Sequence, residues 1–372
     1  MRPALASSLA LGLAATGASA APHLQDSLYD SFNGLRPNLY DDSLASQLTH
    51  GIWDTVSGWL GFNHPSSSLH LPAGTRMLDS GFPTADIDSV AAPRFVIYGD
   101  QDVASQTYGA PPYWNITGFD VYNLAFWTVK YGVADNAAKF AAKSAADRKW
   151  FKSRYAGAGI KLMVSVFGES DRPQSLGKNA TQLGKEIAAW VKKMGLDGVD
   201  VDYEEFDLFN QGKSTRWLID LTKSLRAELP SPDYIITHAP VAPWFNTNLY
   251  KDGGYTKIHK EVGSMIDFYN VQYYNQDTYE TCDSLLWDSG NTFPTTALFE
   301  LNKYYGIPLD KLVVGKPAVQ SDASNGFMKP SVLGACLHEA VQNGWNAGAM
   351  FWEYPHMNPN RLKVITDAAG LK

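Results

Sequence analysis

From residue 94 onward the chain alternates short apolar runs with longer stretches in which apolar residues recur every three or four positions. The first pattern suits buried strands, and the second suits helices with one face against a core. Eight apolar runs can be counted, at 95–98, 121–126, 160–166, 196–203, 234–239, 265–273, 312–315 and 347–352. Helical periodicity falls between them at 137–155, 174–194, 214–229, 295–305 and 331–343. Between the fifth and sixth runs it is weak, and Tyr250 to Gly263, with its Gly253-Gly254 pair, reads as an irregular loop. Strands alternating with helices form parallel βαβ units, and eight of them close into a (β/α)8 TIM barrel, which removes both sheet edges. An open doubly wound sheet is the rival; it would carry a glycine-rich phosphate turn after its first strand, where Tyr98-Gly99-Asp100-Gln101 has one glycine.

The chain in front of the barrel differs. Residues 1–20 read as a secretory signal: Arg2 gives the positive start, Leu5 to Ala15 the apolar stretch, and Ala18-Ser19-Ala20 the small-x-small cleavage pattern. A secreted, extracellular product beginning near Ala21 is expected, with residues 21–93 as an N-terminal extension of unassigned role and 94–372 as the catalytic barrel. No later apolar run is long enough for a membrane span. A net charge of −7 without a long basic run argues against a nucleic-acid partner. The chain is read as a monomer with no cofactor. Export permits a disulfide between the two cysteines, Cys282 and Cys336, though the sequence leaves their pairing open. Asn115-Ile116-Thr117 and Asn179-Ala180-Thr181 are glycosylation sequons and fit the same compartment.

The candidate chemistry lies in the fourth run, Leu196-Asp197-Gly198-Val199-Asp200-Val201-Asp202-Tyr203-Glu204. Successive strand side chains point to opposite faces, so Asp200, Asp202 and Glu204 share one face while Val199, Val201 and Tyr203 share the other. The outward face of a barrel strand packs under helices and must be apolar, so the acidic face points inward. Alternate residues lie about 6.5 Å apart along the strand, too close for all three carboxyls to ionise cheaply in a low-dielectric interior. Glu204, nearest the C-terminal end where barrel active sites lie, is then a candidate general acid. A solvated acidic edge strand would explain the acids without chemistry, but the interleaved valines oppose it. A hard-cation site would also use clustered carboxylates, but a calcium loop needs a glycine and a glutamate at fixed places that are lacking. No metal is therefore assigned. His238 reads as a structural histidine, and neither a zinc spacing nor a Gly-x-Ser-x-Gly elbow is present.

At these residues the chain resembles glycoside hydrolase family 18, the chitinases and endo-β-N-acetylglucosaminidases, whose Asp-x-x-Asp-x-Asp-x-Glu signature is complete from Asp197 to Glu204. Asn123-Leu124-Ala125-Phe126 is similar to the second strand of the hevamine-like class III branch. The segments 161–168, 237–240, 271–275 and 348–352 resemble the family's third, fifth, sixth and last strands. Phe167 departs from the pattern, standing where the third-strand motif usually has a glycine. The resemblance implies a retaining, substrate-assisted hydrolysis in which Glu204 protonates the glycosidic oxygen and the substrate's own acetamido oxygen attacks the anomeric carbon. It further implies that Asp202 orients the acetamido group, that Asp200 shares a proton with Asp202, and that Tyr274 hydrogen-bonds the acetamido oxygen. Trp352 would form the floor of the cleavage site, with Gln272, Tyr98 and Phe126 lining it. The substrate expected is chitin or an N-acetylglucosamine oligosaccharide. The alternatives are cleavage of the chitobiose core of N-glycans and an inactive sugar-binding relative; intact acids at 200, 202 and 204 weigh against the last.

Overall fold

The computed structural model describes residues 90–371, so the expected signal at 1–20 and the extension through 89 lie outside the described residues. Among the described residues nine strands are present in chain order: β1 Arg94–Gly99, β2 Val121–Thr128, β3 Gly132–Val133, β4 Lys161–Phe167, β5 Gly198–Asp202, β6 Ile235–His238, β7 Phe268–Gln272, β8 Leu312–Pro317 and β9 Gly348–Trp352. Eight pair in parallel around a closed ring, each with its sequence neighbours, and β1 closes against both β2 and β9. The two-residue β3 folds back antiparallel on the end of β2 and is no part of the ring. This is the (β/α)8 TIM barrel expected from the alternation of apolar runs and helical stretches.

The helices bury the faces their periodicity marks. In the helix Ala180–Met194, Leu183, Ile187 and Val191 are buried at four-residue spacing, each burial contributing about 1.5–3 kcal/mol. Asn179 caps it by accepting the Gln182 backbone N–H at 3.0 Å, and Gly195 ends it in the left-handed region at φ 72°. Its neighbour Ser214–Glu228 packs so close that a Cβ on Gly184 would lie 2.7 Å from the Ser224 Cβ.

Two expectations needed correction. The stretch 137–155 is two helices, Asp135–Ala141 and Ala145–Gly157, because Ser144 accepts the Asp147 N–H and starts a second helix. The stretch read as a loop after β6 contains the helix Gly254–Val262, entered through Gly253 at φ 98°. Its buried Tyr255, Ile258 and Val262 form a face at helical spacing that the paired glycines obscured. A last helix, Pro359–Ala369, follows β9, with Asn358 as its cap and Pro359 at its first position. The cysteine pairing left open by the sequence is formed: Cys282 and Cys336 are bonded, joining the helix Cys282–Leu286 to the helix Pro330–Gln342. Among the described residues no helix is long and apolar enough to cross a membrane.

Candidate active site

Residues 200 and 202 on β5 point into the barrel, and Glu204 lies two residues beyond, just past the strand's C-terminal end. Asp200 is fully buried, and four donors from four other strands surround it. The Tyr98 hydroxyl from β1 and the Ser165 hydroxyl from β4 reach Oδ2 at 2.8 and 2.9 Å. The Thr237 hydroxyl from β6 and the Asn270 amide from β7 reach Oδ1 at 2.6 and 3.1 Å. Burial raises the Asp200 carboxyl, and these donors oppose the rise because each favours the ionised form. Asp200 in turn raises Asp202 through its charge.

Asp202 is buried and held well above the usual carboxylate range, first by desolvation, then by Glu204, then by Asp200. Glu204, partly exposed at the mouth, is also raised by burial, with hydrogen bonds from Gln272 and Asp202 pulling it back. Asp202 is thus the proton donor and Glu204 the acceptor within the pair, and the two keep a proton to higher pH than free carboxyls would. The Gln272 amide bridges them, donating to Asp202 Oδ1 at 3.0 Å and Glu204 Oε1 at 3.5 Å, and it is anchored on the Ala239 carbonyl at 2.9 Å.

The aromatic residues named from the sequence gather around this pair. Tyr274 is buried beyond the end of β7, and its phenol is raised by burial and then by Asp202, Glu204 and Asp200. Trp352, partly exposed at the end of β9, stacks on Phe126 with ring centroids 5.9 Å apart and lies 6.0 Å from Tyr98. Tyr98 differs from its expected place: only 2% exposed and spent on Asp200, it supports the acid from below instead of lining an open subsite.

Several contributors went unnamed in the sequence. Ser165, Thr237 and Asn270 complete the shell of Asp200. The polar alternation of Asn270 and Gln272 on β7 was the available signal, since both must face inward when Val271 faces out. Glu205, buried beside Glu204, accepts the backbone N–H groups of Gln174 and Ser175 and so ties the loop after β4 to the end of β5. Asp171 does the same for the loop after β2, accepting from Val129 N at 2.6 Å and Lys130 N at 3.0 Å. Asp197, first acid of the signature, faces away from the others: it accepts Leu162 N at 2.8 Å and pairs with Lys152 at 3.0 Å. His238 is buried between Thr222 and Tyr255, each at 3.2 Å, and desolvation lowers it to about 3, as suits a neutral structural imidazole. Phe167, the departure from the family pattern, adopts φ 84°, and the next residue, Gly168, donates to the Asp202 carbonyl at 2.9 Å. Among the described residues no cluster of His, Cys, Asp or Glu is arranged to hold a metal ion.

The architecture is a closed parallel (β/α)8 barrel with a buried carboxyl pair at the C-terminal end of its strands. The family model for the glycosyl hydrolases family 18 matches residues 94–357, and the chain belongs to that family. The structure is similar to that of a family 18 chitinase from Pseudoalteromonas aurantia, with 26% identity, a TM-score of 0.61, and coverage of 74% of this chain and 99% of that one. A chitinase from Aspergillus fumigatus shares the fold at 20% identity and a TM-score of 0.54, over 74% of this chain and 99% of that one. So does a xylanase and α-amylase inhibitor protein, at 15% identity and a TM-score of 0.51, over 75% of this chain and 98% of that one. A chitinase of Enterococcus faecalis is 23% identical over 211 residues, which are 52% of this chain and 59% of the relative's length.

Proposed function

We propose that the protein is a secreted, retaining chitinase that hydrolyses β-1,4 bonds between N-acetylglucosamine units, with Glu204 as general acid and base. The observation that carries this reading is the Asp202–Glu204 pair, holding a proton at the barrel mouth beside Tyr274. Glu204, the more exposed member, takes that proton from Asp202 and gives it to the glycosidic oxygen. Asp200 is enclosed by four donors, and Asp202 is buried and tied to the Gln272 amide, so neither offers a free carboxylate to the anomeric carbon. The substrate's acetamido oxygen is then the nucleophile at hand, a recognised exception to the two-carboxylate scheme. Asp202 and the Tyr274 hydroxyl hold the acetamido group for that attack. The emptied Glu204 carboxylate next draws a proton from the water that opens the cyclic intermediate, on the face the leaving group vacated, and retention follows. The flat face of Trp352 takes the axial hydrogens of the sugar.

The formed disulfide is in keeping with export, as is the signal-like start of the chain. The relative in Enterococcus faecalis and the structural neighbour in Pseudoalteromonas aurantia, both chitinases, support the substrate class. The test is product analysis after parallel incubation with chitotetraose and with a high-mannose glycopeptide. Chitobiose from the first and an intact second are expected. Glycan release with untouched chitotetraose would make the protein an endo-β-N-acetylglucosaminidase, and binding without cleavage of either would make it a lectin.

A further inference from the structure

Lys316 is a fully buried lysine on β8, among the aromatic and backbone groups of the next loops. Its Nζ donates to three backbone carbonyls: Tyr273 at 2.9 Å, Tyr279 at 2.6 Å and Gly326 at 3.1 Å. Three acceptors need three N–H donors, and only the charged ammonium has three; the neutral amine has two and would turn a lone pair on the third carbonyl. The three carbonyls belong to the end of the β7 segment, the loop that follows it, and the loop after β8.

These contacts converge on one residue. The Tyr273 carbonyl belongs to the peptide unit that leads into Tyr274. Gly326, at φ 91°, lies flat against Tyr274, so that a Cβ placed there would come within 2.6 Å of both the Tyr274 Cα and Cβ. Glu280 holds the same glycine from its other side, accepting its N–H at 3.0 Å. Beyond Tyr274 the chain runs through left-handed residues, Asn275 at φ 64° and Asp277 at φ 50°. Asn325 supports that turn, its side chain accepting the N–H groups of Gln276 and Asp277 at 3.0 Å each.

We infer that Lys316 is a positioning residue for Tyr274: its ammonium clamps the carbonyls of Tyr273, Tyr279 and Gly326 and thereby fixes where the Tyr274 hydroxyl points. The inference rests on the place given to Tyr274 in the proposed reaction. Burial lowers Lys316 to about 7, and the Glu280 carboxylate opposes the shift. Loss of the third N–H as pH rises past neutrality would free one carbonyl and loosen the seat of Tyr274.

The direct test needs no substrate. In wild-type protein labelled at lysine and tyrosine, NMR signals of the Lys316 side chain and the Tyr274 ring are followed from pH 5.5 to 9. Both should move with one midpoint, whereas Tyr274 signals that stay still while Lys316 titrates would overturn the inference. The second arm is a kinetic cycle of Lys316→Met, Tyr274→Phe and the pair on a chromogenic chitobioside. Misplacing a catalytic group costs about 10- to 100-fold in kcat, so Lys316→Met should lose that much alone and little more once Tyr274 is already Phe. Losses that multiply would mean Lys316 acts on stability alone. A wild type that does not cleave the chitobioside sinks the proposed function, and the titration then still decides the clamp.

Discussion

The proton between Asp202 and Glu204 is kept by burial, by their mutual charge and by the charge of Asp200 below them. Replacing Asp202 with Asn removes that proton and the carboxyl that holds the acetamido group. Its kcat on chitotetraose is expected to fall by roughly 10²-fold or more, with binding by calorimetry changed only a few-fold; an unchanged kcat would mean the acetamido group is not the nucleophile. Glu353, next to Trp352, accepts Asp100 N and the Gln101 amide, each at 2.9 Å, and burial, with the Asp100 carboxylate adding, pushes it up to about 8. A carboxyl raised on folding contributes its stability fully below its unfolded value of about 4.3 and loses it as pH climbs to the folded value. The wild-type Tm should therefore decline between about pH 5 and 8, and Glu353→Gln should flatten that decline in thermal melts; parallel curves would refute the link. At this scale the sequence was partly legible. Alternation on one strand placed Asp200, Asp202 and Glu204 together, but Ser165, Thr237 and Asn270 come from other strands, and only the register between strands brings them to Asp200. Single-strand periodicity does not encode that register.

Among the elements, the end of β4 is the place where local preference and tertiary packing conflict. Phe167 sits at φ 84°, a conformation that costs a side-chain-bearing residue about 1–2 kcal/mol, yet it is fully buried with its ring 6.1 Å from Trp217. Phe167→Gly relieves that strain but empties a site worth about 3–5 kcal/mol, so a net loss of roughly 1–4 kcal/mol is expected in denaturant melts. A variant as stable as the wild type would show that strain outweighs packing there. Strands were legible because their apolar runs are compact, while helix ends were less so. Ser144 divides one periodic stretch into two helices, and Gly253-Gly254 conceals the start of Gly254–Val262, because a cap or a left-handed glycine acts at one residue while periodicity averages over many.

Over the whole molecule, the closed ring brings distant segments together, and the clearest instance is the Cys282–Cys336 bond across a separation of 54 residues. In a chain read as exported, two cysteines left a pair open, and their proximity depends on the packing of two helices outside the barrel, which the sequence pattern does not fix. Cys282→Ser with Cys336→Ser should cost about 2–4 kcal/mol and lower the Tm accordingly, and melts indistinguishable from the wild type would show that the bond adds nothing to stability. EDTA should leave turnover intact; loss restored by a divalent cation would point to a metal mechanism. The central claim, that Glu204 supplies the proton and the substrate supplies the nucleophile, is tested most directly by following chitotetraose hydrolysis with proton NMR in wild type and Glu204→Gln. The wild type should release products first in the β configuration, with the variant slower by about 10²–10⁴-fold or more. Products first appearing as the α-anomer, or a Glu204→Gln variant turning over at the wild-type rate, would contradict it.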